Sequence, residues 1–119
     1  MKICVASRAP ALASDVDVRF GRARFFIIHD DRAGAYEVLD NEKNTHAESD
    51  AGIESAHTIA EKGCRWVVSN HVGPRAMTAL RAAGIRVATG VSGKVADALR
   101  AFKNGELEEL RNADVPPGR

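Results

Sequence analysis

A short apolar stretch near the start of the chain, Ile3-Cys4-Val5-Ala6, decides the fold, and Ser7-Arg8-Ala9-Pro10 closes it. A continuous apolar run of this length between turn residues is typical of a strand that is buried on both faces. The stretch therefore predicts a first strand that ends at Ala6 or Ser7 and lies within a sheet covered on both sides.

Two further strands follow in the pattern of a hairpin. The run Phe25-Phe26-Ile27-Ile28-His29 is apolar on both alternating faces, and Asp30-Asp31-Arg32-Ala33-Gly34 has the composition of a turn. The return strand, from Ala35 to Asp40, alternates polar and apolar residues. This alternation is expected of an edge strand with one face in water.

The remainder of the chain alternates helices with strands. The predicted elements are a helix capped by Ser49 or Asp50 that stops at Gly63, a strand over 65–69, a helix that starts at Pro74 and stops at Gly84, a strand over 85–88, and a helix capped by Ser92 that ends at Asn104-Gly105. Helical crossovers join parallel strands with right-handed connections.

This order of elements predicts an α/β fold with one mixed five-stranded sheet. With the first strand in the centre, the spatial order of the strands is 3-2-1-4-5, and helices cover both faces. We expect residues 1–110 to form a single cofactor-binding domain and residues 111–119 to form a disordered tail.

Composition excludes several functional classes. The chain has 119 residues and a formal net charge of +1, so it offers no overall attraction to nucleic acid or to a membrane surface. Cys4 and Cys64 form no C-x-x-C pair and are expected in the core. We found no apolar run of membrane-spanning length, and a cytoplasmic protein is the expectation.

A long segment without regular period, from Arg8 to Ala23, joins the first two strands, and its second half reads Val16-Asp17-Val18-Arg19-Phe20-Gly21-Arg22. A loop of this length inside a small domain is often functional. Arginines supply planar charged donors for an anion, and a glycine with positive φ could bring backbone N–H groups close to it. A turn with solvated charges is the alternative.

The predicted topology places this loop beside a second one. Ser7 and the arginine segment leave the first strand, while Asn70-His71-Val72-Gly73 leaves the fourth and opens into a helix, whose N-terminus favours anions. Ligands of open α/β sheets bind beyond the carboxyl ends of such strands. The predicted cofactor-binding residues are Ser7, Arg19, Phe20, Gly21, Arg22, Asn70, His71 and Gly73.

Several motifs together carry a family resemblance. They are Val5-Ala6-Ser7, the segment 16–26, Ala51-Gly52-Ile53, Val72-Gly73-Pro74 with Ala76, and the segment 98–107. In this combination the chain resembles the nitrogenase iron-molybdenum cofactor biosynthesis accessory family over nearly its whole length. The resemblance implies a ribonuclease H-like fold and non-catalytic, transient binding of an iron–sulfur or iron-molybdenum type cluster, or of a precursor. It also implies proteins that donate and accept the cluster.

The chain departs from several cofactor-carrying members of that family at one position. Those members have, before Phe-Gly, a histidine that is implicated in holding the cluster, whereas this chain has Arg19. Arginine is not a normal metal ligand, but it can donate hydrogen bonds to sulfide, oxo or carboxylate groups. We therefore expect arginine side chains and backbone amide groups to donate hydrogen bonds to the cluster, with His71 or His46 as the metal ligand. The sequence is compatible with either a monomer or a homodimer.

Two other functional classes stay open. A regulatory module could bind a small phosphate or a partner protein in the same crevice. A metal-dependent phosphoryl-transfer enzyme could use Asp15 and Asp17, although the first strand has Cys4 and Ala6 where such an enzyme needs a carboxylate. We expect that the protein is not an enzyme.

Overall fold

The structure is a computed structural model that describes residues 1–45 and 51–113. Its strands are β1 (Lys2–Ser7), β2 (Phe25–Asp30), β3 (Ala35–Asp40), β4 (Cys64–Val68), β5 (Arg86–Thr89) and β6 (Glu108–Leu110). Its helices are α1 (Glu42–Thr45), α2 (Ala51–Glu61), α3 (Pro74–Ala82) and α4 (Val95–Lys103).

The strands form one mixed sheet in the order β3-β2-β1-β4-β5-β6. Central β1 runs antiparallel to β2 and parallel to β4, as the element order predicts. The predicted order 3-2-1-4-5 is confirmed, but the prediction of five strands is wrong. A sixth strand pairs antiparallel with β5, with Val87 opposite Leu110. It has only three residues, too few to show a period, and a distant strand stabilises it.

Helices cover both faces of the sheet, as expected. One face packs against α2 and α3 through residues such as Phe26, Ile59 and Leu80, all of which are fully buried. The other face packs against α4 through Val5 and Val95. Over residues 1–45 and 51–113, no helix combines the length and the apolar character that crossing a membrane requires.

Turn chemistry defines most helix ends as the sequence predicts. Gly63 and Gly84 follow α2 and α3 with φ values of 81° and 74°, a left-handed conformation that side chains disfavour. Pro74 is the first residue of α3.

The predicted cap of α2, Ser49 or Asp50, lies outside the described residues. Residues 42–45, for which the sequence predicts neither a helix nor a strand, form the short helix α1.

The predicted Ser92 cap of α4 is wrong. This helix begins at Val95 after Lys94, and no side chain caps it. Instead, the N–H groups of Val95 and Ala96 donate to the carbonyl oxygens of Ser14 and Leu12, each at 2.9 Å. The long loop after β1 therefore supplies the acceptors that a capping side chain would have offered.

The end of the described chain contacts the rest of the protein. Asn112 accepts a hydrogen bond from Arg81 at 3.5 Å, and Ala113 packs against the core that includes α2 and α3. These two residues belong to the predicted tail, and the rest of that tail, 114–119, lies outside the described residues.

Candidate functional site

The loop that carries the arginines crosses the carboxyl ends of β1 and β4. The N–H of Asp17 donates to the carbonyl oxygen of Ala6 at 2.9 Å, and the N–H of Phe20 donates to that of His71 at 3.0 Å. Arg19 and His71 are partners in a short parallel bridge. The structure thus brings the arginine segment and the segment after β4 together through backbone hydrogen bonds.

Asp17 holds Arg19 in place. Its carboxylate is buried and accepts the N–H of Arg19 at 3.0 Å, and it lies 3.5 Å from Nε of the same residue. The Arg19 side chain is 56% exposed, so its guanidinium faces solvent while its base is anchored. An arginine oriented in this way can donate to an anion, because its planar group has five N–H donors and only one edge approaches Asp17.

The expectation that Gly21 has a positive φ is wrong. A glycine is needed at this position because there is no room for a Cβ atom. Among the described residues, the glycines with positive φ do not include Gly21. A Cβ atom there would lie 2.7 Å from both Cα and N of Gly52 at the start of α2. A Cβ on Gly52 would in turn lie 2.7 Å from Cβ of Ala76 in α3. Three small residues therefore let the arginine segment, α2 and α3 approach closely.

A buried polar network holds the carbonyl groups of the arginine segment. The side-chain amide of Asn41 donates to the carbonyl oxygen of Ala23 at 2.9 Å and to that of Gly21 at 3.3 Å. The hydroxyl of Ser55 also donates to the Gly21 carbonyl, at 3.0 Å. Sequence reasoning missed both residues, because Asn41 begins a polar run that resembles a solvated loop and Ser55 lies within a helix.

The three arginines of the segment have different surroundings. Arg22 is half-buried and donates to the carbonyl oxygen of Thr45 at 3.2 Å. Arg24 turns away from the loop, stacks on Phe25 and pairs with Asp40. The pKa of Asp40 is lowered, first by a backbone hydrogen bond from Glu42 and then by Arg24. Arg24 is therefore occupied by its own pairs, which leaves Arg19 and Arg22 as the cations of the site.

Three of the predicted site residues serve mainly as framework. Ser7 is fully buried, and its hydroxyl donates to the carbonyl oxygen of Ala9 at 2.6 Å. Phe20 is also fully buried, with its ring centroid 5.4 Å from that of Phe26. The Asn70 side chain accepts the N–H of Gly90 and donates to the carbonyl oxygen of Val91. Their polar groups and surfaces face the protein interior or the neighbouring loop.

Two helices begin beside the arginine segment. Gly73 is the N-cap of α3 in an extended conformation, Pro74 follows it, and no side chain caps this end. The close packing of Gly21 on Gly52 places the start of α2 against the same segment. Helix N-termini carry partial positive charge, so both ends add to the field of Arg19 and Arg22.

The metal-ligating side chains near the site are few. His71 is exposed and lies three residues beyond the end of β4, whereas His46 lies outside the described residues. Asp15 pairs with Lys94 at 2.8 Å, and this hydrogen bond lowers the pKa of the Asp15 carboxyl. Asp15 and Asp17 therefore do not share one site. Within residues 1–45 and 51–113, no three His, Cys, Asp or Glu side chains are grouped to hold a metal ion.

The fold and the site together define a small α/β protein with a cationic loop at the carboxyl ends of its central parallel strands. The chain belongs to the dinitrogenase iron-molybdenum cofactor family, whose model matches residues 1–105. This membership agrees with the resemblance that the motifs indicate.

Solved structures of similar proteins support this assignment. The apo form of the orange protein from Desulfovibrio gigas is 33% identical, with a TM-score of 0.92 and coverage of 96% of each chain. A Thermotoga protein described as a candidate NifB of the DUF35 family is 34% identical, with a TM-score of 0.84 and coverage of 96% of this chain and 97% of the other.

A more distant structure shows the shared fold alone. It is a candidate dinitrogenase from Methanocaldococcus jannaschii with 15% identity and a TM-score of 0.72, covering 94% of this chain and 96% of the other. No curated protein matches the chain.

Proposed function

We propose that this protein is a non-catalytic carrier of an anionic metal–sulfur cluster, either the iron-molybdenum cofactor, a precursor of it, or a related molybdenum-containing cluster. The observation that carries the proposal is the junction of Arg19 and Arg22 with the starts of α2 and α3. Membership of the dinitrogenase iron-molybdenum cofactor family supports the choice of cargo.

Positive groups of different kinds converge at this junction. Arg19 presents an exposed guanidinium that Asp17 orients, and α3 adds an N-terminus without a side-chain cap. Hydrogen bonds from a charged donor to an anion contribute about 1.5–3 kcal/mol each. A few such bonds are sufficient for a carrier, because they bind an anionic cluster and release it more readily than several metal–ligand bonds would.

His71 is the proposed metal ligand among the described residues. Its backbone pairs with the arginine segment and its side chain is exposed, so an imidazole nitrogen can reach a cluster bound there. His46, the other proposed ligand, lies outside the described residues. We expect the protein to act in the cytoplasm between a protein that donates the cluster and one that accepts it.

The separation of the carboxylates favours carriage over phosphoryl transfer. Two-metal phosphoryl chemistry needs carboxylates that converge on a pair of cations. Here Asp15 pairs with Lys94 and Asp17 with Arg19, so each carboxylate already faces a different cation.

Anaerobic reconstitution tests the proposal. Protein incubated with iron, sulfide and molybdate, and then separated from unbound metal by gel filtration, should retain metal and show visible charge-transfer absorption. The Arg19→Gln/Arg22→Gln double variant should retain less, and His71→Gln should alter the absorption spectrum. Wild-type protein that emerges colourless and metal-free contradicts the proposal. Calorimetric binding of a phosphate-containing metabolite in the same loop would instead favour a regulatory module.

A further inference from the structure

A cationic hollow lies at the end of the sheet opposite to the arginine loop. It has a volume of about 380 Å³ and is lined by Lys2, Asp30, Arg32, Lys62 and Arg65 together with Met1 and Gly63. These residues lie at the start of β1, at the end of β2 and in the turn after it, in the turn between α2 and β4 and, for Arg65, within β4. Because β1 has six residues, the hollow is roughly 20 Å from the arginine loop.

Three cations of this hollow are unpaired. The side chains of Lys2, Arg32 and Arg65 have no hydrogen-bond or ion-pair partner among residues 1–45 and 51–113. By contrast, other exposed cations such as Lys94 and Arg100 each pair with a carboxylate. Like charges gathered without counterions repel one another, so an anion that enters the hollow relieves this repulsion.

The nearby carboxylates do not neutralise the three unpaired cations. Asp30 accepts the backbone N–H of Arg32 at 3.0 Å. Glu37 pairs with Lys62 at 3.2 Å, and Asp31 pairs with the amino group of Met1. Even if Asp30 neutralises one of these cations completely, the side chains that line the hollow still carry a net positive charge.

We propose that this hollow binds a small polyanion that carries phosphate or carboxylate groups, at a site separate from the arginine loop. Two guanidinium groups offer paired N–H donors that match the oxygens of such groups, and Lys2 adds a point charge. The volume is at the lower end of the range for small-molecule sites, which favours a compact ligand over a large cofactor. This inference does not depend on the proposed cluster carriage.

An NMR titration with pyrophosphate at constant ionic strength tests the inference. Saturable shifts are expected for the backbone amides of Lys2, Arg32, Gly63 and Arg65. Arg32→Gln and Arg65→Gln should each weaken binding about tenfold, as expected for the loss of one charge-assisted hydrogen bond. Both side chains are exposed, so both variants should fold. Arg8→Gln, which removes an exposed cation at the other end of β1, should leave the affinity unchanged.

Other probes identify the ligand class. Citrate that binds as tightly as pyrophosphate would support a general polyanion site, and preference for pyrophosphate would support a phosphate site. Shifts confined to the arginine loop, shifts that do not saturate, or equal affinities of the Arg65→Gln and Arg8→Gln variants would overturn the inference. Tighter binding of a hexaglutamate peptide than of either small anion would also overturn it, because the surface would then fit an acidic protein segment.

Discussion

A Cβ atom on Gly21 would lie 2.7 Å from the Cα atom of Gly52, closer than side chains and backbone approach in folded proteins. The arginine segment therefore contacts the start of α2 backbone to backbone. This contact links two motifs of the family resemblance, Phe20-Gly21 and Ala51-Gly52-Ile53, whose glycines are 31 positions apart in the chain. Both motifs have a packing role in addition to any role in binding.

Gly21→Ala should lower the free energy of unfolding by about 1–3 kcal/mol, because the added methyl group overpacks a contact with backbone atoms. Gly52→Ala should also destabilise the protein, since its Cβ would meet that of Ala76. Adding Ala76→Gly to Gly52→Ala removes this clash, so the double variant should lose less stability than the two single effects sum to. Urea unfolding measures all of these values, and strictly additive losses would contradict the packing argument.

Asn41→Ala should cost about 1–3 kcal/mol of unfolding free energy, because it removes a donor from the buried carbonyl groups of Gly21 and Ala23. Amide hydrogen exchange should also become faster in the arginine segment. Asn104→Ala is the control, since Asn104 is exposed at the end of α4. Similar losses for the two variants would show that the network does not hold the segment.

Arg19→Gln and Arg22→Gln should each weaken retention of tetrathiomolybdate, an anionic molybdenum sulfide, while changing the unfolding free energy by less than about 0.5 kcal/mol. Both side chains lie on a loop outside the core: Arg19 is largely exposed, and Arg22 is half-buried and donates to the carbonyl oxygen of Thr45 at 3.2 Å. Metal analysis after gel filtration gives the retained molybdenum. Arg111→Gln, at an exposed position beyond β6, should retain as much as wild type. A marked fall in melting temperature for either site variant would make that arginine structural.

A chain that ends at Leu107 should be less stable than one that ends at Ala113. The shorter chain lacks β6, so it loses the strand pairing with β5 and the pair between Arg86 and Glu109. The exposed edge of β5 should also promote self-association. Thermal unfolding and sedimentation measure the two effects. Equal melting temperatures for the two chains would argue against a stabilising role of β6.

Cys64 should react with iodoacetamide before Cys4 does. A hydrogen bond from the Cys4 thiol lowers the pKa of Cys64, and the charge of Lys2 adds to this effect. Burial raises the pKa of Cys4, so this thiol keeps its proton as the pH rises past about 8.5, the ordinary value for cysteine. Because the thiolate is the reactive form, Cys64 alkylation should accelerate with pH while Cys4 stays unmodified until unfolding.

Peptide mass spectrometry distinguishes the two thiols. Cys4→Ala removes the hydrogen bond and should slow alkylation of Cys64 at pH 8, because the pKa of that thiol then returns toward its ordinary value. Equal rates at the two cysteines in the folded protein would show that the predicted difference in pKa does not control their reactivity.

Much of the fold could be predicted because its signals are local. The apolar run at Ile3-Cys4-Val5-Ala6, the hairpin turn before Gly34 and the left-handed stops at Gly63 and Gly84 depend on neighbouring residues only. β6 could not be predicted in this way, since three residues show no period and their partner β5 is about 20 positions earlier in the chain. The start of α4 was misplaced for the same reason, because carbonyl groups of the distant loop cap it.

The sequence by itself determined the order of the first five strands, the family and the identity of the arginine segment, because periodicity, turn residues and motifs depend on residues that are close together in the chain. Only the tertiary structure decided what the segment contacts. It placed Phe20 against His71, gave Gly21 a packing role on Gly52, and buried Asn41 beneath the loop. These contacts join residues that are far apart in the chain, and their energies depend on distances and burial that exist only once the sheet and its helices have assembled.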